Sequence, residues 1–377
     1  MASAEGSDSK PIYILFVGAG AVGCFYASRL HHSGLTQSWI QPSKNIHVSL
    51  VARSNYPTLS RSGIELESRN FGNYHFTPHA VYASIDEAAA ATPPSGWSYV
   101  IVTTKALPGV TDDAAAIEPV VGAGATCIVL IQNGVGIEEA HRKRFPRNPI
   151  VSAVTVISAE QVRHGVVRQN RWTRISMGAY TDGLGVDDES AQHQQQEKHQ
   201  LSQRGDACVR ELVHLFNDLG GLRDAEFYDE VSLQQVRWHK LLINAAFNPS
   251  AILSGGRGNA DMVTDAELRA HLHGIMAELY DAAPRILGRP FPDKLAAPDT
   301  ILKSTERNKG GKPSMLLDWE RGQPLELEVI LGLPIRIARQ RGVELPRLQT
   351  VYALLKSAVR ERDARLKAEK EKGSPKL

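Results

Sequence analysis

Lys240, Asn244 and Asn248 stand at i, i+4 and i+8 in a segment that is otherwise mostly apolar, Trp238 to Pro249 (WHKLLINAAFNP). On a helix these three share one face over two turns. A surface helix normally carries more than a single polar file, so the spacing predicts a largely buried helix whose polar file lines a cavity. A lysine placed there loses hydration, and its pKa falls toward the range useful for proton transfer. The plainer alternative is a hydrogen-bonded network that ties helices together. Asn248 precedes Pro249, and a residue before proline is pushed away from helical geometry, which predicts that the helix ends there. A second set of residues lies near the other end of the chain. The strand-like run Ile12 to Val17 leads into Gly18-Ala19-Gly20-Ala21-Val22-Gly23, and a helix-like run follows from Cys24 to Leu30. In this context the G-x-G-x-x-G spacing carries meaning. Gly18 permits the tight turn, Gly20 lets a pyrophosphate approach bare backbone, and Gly23 lets helix and strand pack closely. Residues 18–23 are therefore expected to bind a dinucleotide, and redox chemistry follows from that.

Three further residues fall where such a ligand would reach. Arg53 ends a second strand-like run, where dinucleotide folds place an acid on a ribose 2′-hydroxyl. An arginine there suits a 2′-phosphate, so NADP(H) is expected over NAD. Lys105 follows a third run in VIVTTKA, and Asn133 follows a fourth in VLIQNGVG. Ligands of open parallel sheets bind beyond the carboxyl ends of the strands, so one crevice could collect the glycine turn, Lys105 and Asn133. The plainer readings are a solvated lysine and an Asn-Gly turn.

The elements that must position these residues change character along the chain. Strand-like runs at Asn45 to Arg53, Tyr99 to Thr104 and Thr126 to Ile131 are near-continuously apolar. Helix-like stretches at Asp86 to Ala91 and Asp112 to Ile117 separate them, a pattern of parallel strands buried on both faces. Ile150 to Ile157 and Val166 to Met177 are β-rich and extend the sheet or form a ribbon at its edge. Ser33 to Lys44 reads as a loop, and 181–206, with its QHQQQEKHQ tract, as a flexible polar linker. His193 and His199 in that tract have no companion ligands, so no metal site is expected. From 207 to 365 the spacing is helical, at Val209 to Leu219, Leu233 to Phe247, Ala266 to Leu287 and Pro324 to Arg341, and no strand is expected. Residues 366–377 read as a charged tail. The expected architecture is α/β: a Rossmann-like parallel-sheet domain over 10–180 and an all-α domain that carries the substrate site.

Composition bounds what else the chain could do. Its 377 residues include 43 Lys and Arg against 41 Asp and Glu, for a net charge of +2. That balance argues against nucleic acid or an anionic membrane as partner. Apolar residues make up 42%, enough for ordinary globular cores. The cysteines, Cys24, Cys127 and Cys208, are scattered, as reduced thiols in the cytoplasm would be. Met1 to Lys10 is polar and predicts no targeting signal, and no stretch is long enough to span a bilayer. Ser254 to Gly258 (SGGRG) lacks the ending of a phosphate loop and reads as a turn, and neither G-x-S-x-G nor H-E-x-x-H occurs.

Taken together, the motifs resemble the ketopantoate reductase family. The resemblance rests on GAGAVG at 18–23, VTTKA around Lys105, QNGVG around Asn133 and KLLINAAFNP from Lys240 to Pro249. It continues in KPSMLLDWERGQPLELEVILG from Lys312 to Gly332 and in the ARQRGVELP run that ends at Pro346. It implies NADPH-dependent reduction of 2-dehydropantoate to (R)-pantoate, a step toward pantothenate and coenzyme A. By the same resemblance Gly18, Gly20 and Gly23 hold the pyrophosphate, Arg53 sits near the 2′-phosphate, and Lys105 and Asn133 line the nicotinamide side, Asn133 also reaching substrate. Lys240 would be the proton donor, Asn244 and Asn248 substrate ligands, Ser314 the contact to the substrate carboxylate, and Glu326 the acid that organises lysine and substrate. A carboxylate near the lysine would offset the cost of burying its charge. The chain departs from the pattern at Gly311, where the resemblance would place a substrate-side asparagine, and in the lengths of 181–206 and of the stretch after the first helix. Two alternatives follow: a reductase of another branched 2-oxo acid, and an NADP(H)-binding regulatory protein without turnover. Monomer and homodimer both suit the architecture.

Overall fold

The structure, a computed structural model, describes residues 10–30, 45–181 and 192–373. These residues form two compact units. The first draws on Met1–Thr104, Asp113–Gln132 and Glu138–Leu233, and the second on Lys105–Asp112, Asn133–Ile137 and Gln234–Leu377.

The first unit is built on one mixed sheet. Its strands are β1 (Ile12–Val17), β2 (Ile46–Val51), β3 (Ile64–Ser68), β4 (Gly72–Phe76), β5 (Ala80–Tyr82), β6 (Tyr99–Val102), β7 (Cys127–Leu130), β8 (Ile150–Arg163), β9 (Val166–Ala179) and β10 (Ala225–Phe227). They lie in the order β4-β3-β9-β8-β7-β6-β1-β2-β5, and β10 pairs with β9. Pairing is parallel from β5 through β8, while β8–β9 and β3–β4 are antiparallel. β6 and β7 are buried at every position, which is why they read in sequence as unbroken apolar runs rather than as alternation.

Helices α1 (Ala21–Leu30), α2 (Tyr56–Ser62), α3 (Ile85–Ala90), α4 (Asp113–Ile117), α5 (Glu139–Arg144) and α6 (Gln192–His214) complete this unit. The core joins both layers: Ile14 and Phe16 of β1, Phe25 and Tyr26 of α1 and Leu212 of α6 are in one fully buried cluster.

The fold departs from the sequence expectations in several places. α6 begins at Gln192, so 192–206 is helical rather than a flexible linker. Its polar start alternates with few apolar residues, but from Ala207 an apolar face packs on the sheet and carries the helix. β10 is a strand inside the region expected to be all helical. β3, β4 and β5 went unread because each is only three to five residues long, too short for a period of two to stand out even in β3, where buried and less buried residues alternate. The loop expected at 33–44 lies outside the described residues.

The second unit is helical. It holds most of α7 (Glu230–Leu253), then α8 (Asn259–Thr264), α9 (Ala266–Leu287), α10 (Pro298–Thr305), α11 (Ser314–Glu320), α12 (Leu333–Gln340) and α13 (Pro346–Gly373), with a π-helical turn at Glu328–Gly332. α7 does not end before Pro249, which sits inside it. The ring removes one backbone donor, but the residues around it, Ala245 to Ile252, are all buried, and that packing keeps the last turn helical. The charged end of the chain is helical where it is described, and from Asp363 to Glu369 it is exposed apart from half-buried Leu366. α13 continues to Gly373, and Arg362 is buried with its guanidinium 4.7 Å from the centre of the Trp319 ring.

Candidate active site

The glycine turn sits between β1 and α1 in the first unit. Gly18 has φ +114°, a conformation that other residues rarely adopt. A β-carbon on Gly23 would collide with the carbonyl of Gly18 and with Thr103 Oγ1. At Gly20, by contrast, an added β-carbon meets nothing within 4 Å. The turn is therefore closed on its inner side at Gly18 and Gly23 and open at the residue where a pyrophosphate would approach. α1 has no acidic side chain in its first turn, so its N-terminal N–H groups and partial positive charge remain available to an anion.

Two residues that hold the turn were not singled out in the sequence. Thr103 Oγ1 donates to Gly18 O at 2.7 Å. Buried Asn55 donates its amide to Ala19 O at 3.1 Å and accepts from Gly165 N at 3.0 Å. Nothing in composition or period marks Asn55; only its place two residues after Arg53 could have drawn attention. Arg53 itself is exposed in the turn after β2, free to meet a polyanionic ligand. These residues fit a nicotinamide dinucleotide.

The second unit gathers the remaining candidates. Lys240 is half-buried on α7, and its Nζ donates to Asn133 Oδ1 at 2.8 Å. Asn133 Nδ2 donates in turn to Glu326 Oε2 at 3.1 Å, and the other oxygen of Glu326 accepts from Ala106 N at 3.3 Å. The amide of Asn133 thus bridges lysine and acid. The expected partnership of Glu326 with Lys240 runs through this amide rather than by direct contact.

Lys105 forms an ion pair with Asp318 of α11 at 2.6 Å. Ser314 is exposed at the first residue of α11, Asn244 is half-buried, and Asn248 is buried at 4% exposure with its Nδ2 lacking a partner among the described residues. An unpaired buried amide is costly unless something arrives to pair with it. The polar file of α7 is therefore present, but the helix is less covered than expected, since Ile243 is 38% exposed.

The electrostatics separate lysine and acid. Burial, then the charge of Arg237, brings the Lys240 amine down to about 8 from 10.5, with Glu326 opposing. Burial raises the carboxyl of Glu326, against the hydrogen bonds from Asn133 and Ala106 N and the charge of Lys105, while Asp318 adds to the rise. An amine at about 8 is still mostly protonated near neutrality yet is a stronger acid than ordinary lysine, which is what a general acid requires.

The Asn133-Gly134 turn that presents the bridging amide is both a turn and part of the site. Gly134 has φ +85°, and a β-carbon there would run into the carbonyl of Val329. Val135 N donates to that same carbonyl at 3.0 Å. The π-helical turn at Glu328–Gly332 thus grips the 133–137 segment directly. No group of three or more metal-ligating side chains occurs among the described residues, and no described helix is long and apolar enough to cross a membrane.

Comparison with known proteins converges on one family. Residues 14–182 match the model for ketopantoate reductase PanE/ApbA, and residues 232–359 match its C-terminal counterpart. The chain is 31% identical to the Saccharomyces cerevisiae protein named Uncharacterized protein YDL144C, across 94% of this chain and 96% of that one. It is 25% identical to a 2-dehydropantoate 2-reductase of Nostoc sp., over 90% and 93% of the two chains. The crystal structure of 2-dehydropantoate 2-reductase from Methylococcus capsulatus superposes with a TM-score of 0.73 at 30% identity, covering 93% of this chain and 98% of that one. The fold alone also matches a D-mandelate dehydrogenase solved with NADH, at 18% identity and a TM-score of 0.67 over 93% of this chain and all of the other. The two family models and the full-length likeness at 31% identity lead to one conclusion: the chain belongs to the ketopantoate reductase family, a family of NAD(P)-dependent reductases.

Proposed function

We propose that the protein reduces 2-dehydropantoate to (R)-pantoate with NADPH. The observation that carries this reading is the chain of hydrogen bonds from Lys240 through Asn133 to Glu326, with the lysine brought down to about 8. Gly18, Ala19, Gly20, Ala21, Val22 and Gly23 would hold the pyrophosphate and Arg53 the 2′-phosphate. Lys105 and Asn133 would line the nicotinamide side. Reduced nicotinamide, when bound, supplies hydride to the ketone carbon. Lys240 does the rest: its ammonium stabilises the charge that develops on the ketone oxygen and then donates the proton. Asn244, Asn248 and Ser314 would orient the substrate, Asn248 through its free amide and Ser314 at the carboxylate. Glu326 acts through Asn133 and keeps that amide turned so that its oxygen faces the lysine. The enzyme would work in the cytoplasm, as a monomer or homodimer.

A second reading, a reductase of another branched 2-oxo acid, is favoured by one observation. Gly311 stands where the resemblance leads one to expect an asparagine, so the substrate contacts differ at that point. Loss of NADPH absorbance with 2-dehydropantoate, run beside Lys240→Ala and a panel of 2-oxo acids, decides. Turnover on 2-dehydropantoate that collapses in the variant supports the first reading. Turnover only on another acid supports the second. Tight NADPH binding with no turnover on any of them would instead make this a regulatory NADP(H)-binding protein.

A further inference from the structure

Arg237 is buried, 3% exposed, one helical turn before Lys240 on α7. Residues at i and i+3 share a face, so the helix carries two cations side by side. The guanidinium is also anchored: Nη1 donates to the carbonyl of Gly134 at 2.9 Å. Gly134 is the residue after Asn133, whose amide takes the hydrogen bond from Lys240. Val329 braces the same turn through its carbonyl. The Asn133-Gly134 turn is therefore held by the π-helical turn and by Arg237 at once.

We propose that Arg237 is a positioning residue for the reduction: its guanidinium pins the Asn133-Gly134 turn from which the Asn133 amide meets Lys240 and Glu326. A second effect accompanies the pinning, since a permanent positive charge one turn away on the same helix weakens the hold of the Lys240 amine on its proton. The proposal rests on the reading of Lys240 as proton donor. Guanidinium suits both tasks better than ammonium. A rigid planar guanidinium fixes the direction as well as the distance of the N–H that Nη1 donates, and it never gives up its own proton in competition with the lysine. The groups that bear on Lys240 are Arg237 from its own helix and Glu326 from the segment before the π-helical turn, with opposite effects. Lys105 and Asp318 act on Glu326 in turn.

The test reads Lys240 directly in the apo protein. Reductive methylation with 13C-formaldehyde places labelled methyl groups on the amine, and loss of one resonance in Lys240→Arg assigns it. Its NMR shift is then followed against pH in the wild type, Arg237→Gln and Arg237→Lys. The wild-type midpoint is expected near 8. Arg237→Gln should raise it by about one pH unit, and Arg237→Lys should leave it nearly in place while kcat falls about tenfold or more, because a flexible ammonium no longer fixes the Gly134 carbonyl in direction. A folded Arg237→Gln protein with an unmoved midpoint overturns the electrostatic part, and an Arg237→Lys protein with full kcat overturns the positioning part. If Arg237→Gln does not fold, as judged by circular dichroism, Arg237→Lys decides by the same two readouts: a midpoint that rises despite the retained charge, or an unchanged kcat, sinks the proposal. Failure of the functional reading looks different, since it shows as wild-type protein that oxidises no NADPH with any 2-oxo acid.

Discussion

Lys240 gives the sharpest expectations at the scale of single residues. Its lowered value sets a sign for the pH dependence: the ammonium that the proposed reduction requires is present below about 8 and is lost as pH rises through that point. Reductive kcat/KM should therefore fall on the alkaline side, with a midpoint near 8, since that parameter reports the free enzyme. An alkaline limb that stays flat to pH 10 would show that another group delivers the proton. Asn248 tests the substrate side. Its buried Nδ2 has no partner among the described residues, so truncation removes a polar group that the fold does not use. Asn248→Ala should leave the melting temperature unchanged or slightly higher while raising KM for the 2-oxo acid about tenfold. A destabilised variant with normal KM would mean that the amide is structural. Arg53 tests the cofactor: Arg53→Ala should weaken NADPH about tenfold and leave NADH nearly unaffected, as measured by fluorescence titration.

At the scale of elements, two of the fingerprint glycines should behave differently. A methyl at Gly23 meets the carbonyl of Gly18 and Thr103 Oγ1, whereas a methyl at Gly20 meets no protein atom within 4 Å. Gly23→Ala should therefore cost stability, on the order of 1–3 kcal/mol for the overpacking, along with cofactor binding. Gly20→Ala should fold normally and lose affinity for NADPH alone. Equal melting temperatures for the two variants would contradict the packing account.

The π-helical turn has its own brace. Glu328 accepts from Tyr352 at 2.5 Å, Arg336 at 2.9 Å and Lys356 at 3.3 Å. Burial works against its charge, but these donors outweigh it and hold the carboxyl below its ordinary range. A carboxyl with a lowered folded value contributes stability that is present above the unfolded value and lost as pH falls through the folded one. Glu328→Gln should lower the melting temperature by a few degrees at pH 7, and the gap from wild type should close in acid.

At the scale of the whole molecule, the two units divide the chemistry. The glycine turn and Arg53 are in the first. Lys105, Asn133, Arg237, Lys240, Asp318 and Glu326 are all in the second, although Lys105 and Asn133 come from the sequence between the strands of the first. Titration of Lys240 in the apo protein should accordingly be unaffected by Gly20→Ala, and Lys240→Ala should retain NADPH binding. Much of this was legible in the sequence. Apolar runs such as Ile12–Val17 and Tyr99–Val102 gave the central strands because strands buried on both faces are apolar throughout. Glycines at fixed offsets declared the turn because backbone sterics permit no other residue at Gly18 or Gly23. The file of Lys240, Asn244 and Asn248 showed through because helical period puts every fourth residue on one face.

What period and composition could not reach were relations between residues far apart in the chain. No local signal says that an asparagine at 133 will bridge Lys240 to Glu326, that Asn55 will hold Ala19, or that Arg237 will reach Gly134 rather than solvent. Nor could local propensity foresee that α7 passes through Pro249 or that α6 begins inside a glutamine-rich tract, since burial of one face outweighs what each residue prefers alone. The sequence by itself determined the central strands, most of the helices, the glycine turn between β1 and α1, and the polar file that makes Lys240 the candidate proton donor. Tertiary structure alone decided which groups surround that lysine, and hence how strongly it holds its proton, because desolvation and charge act through space rather than along the chain.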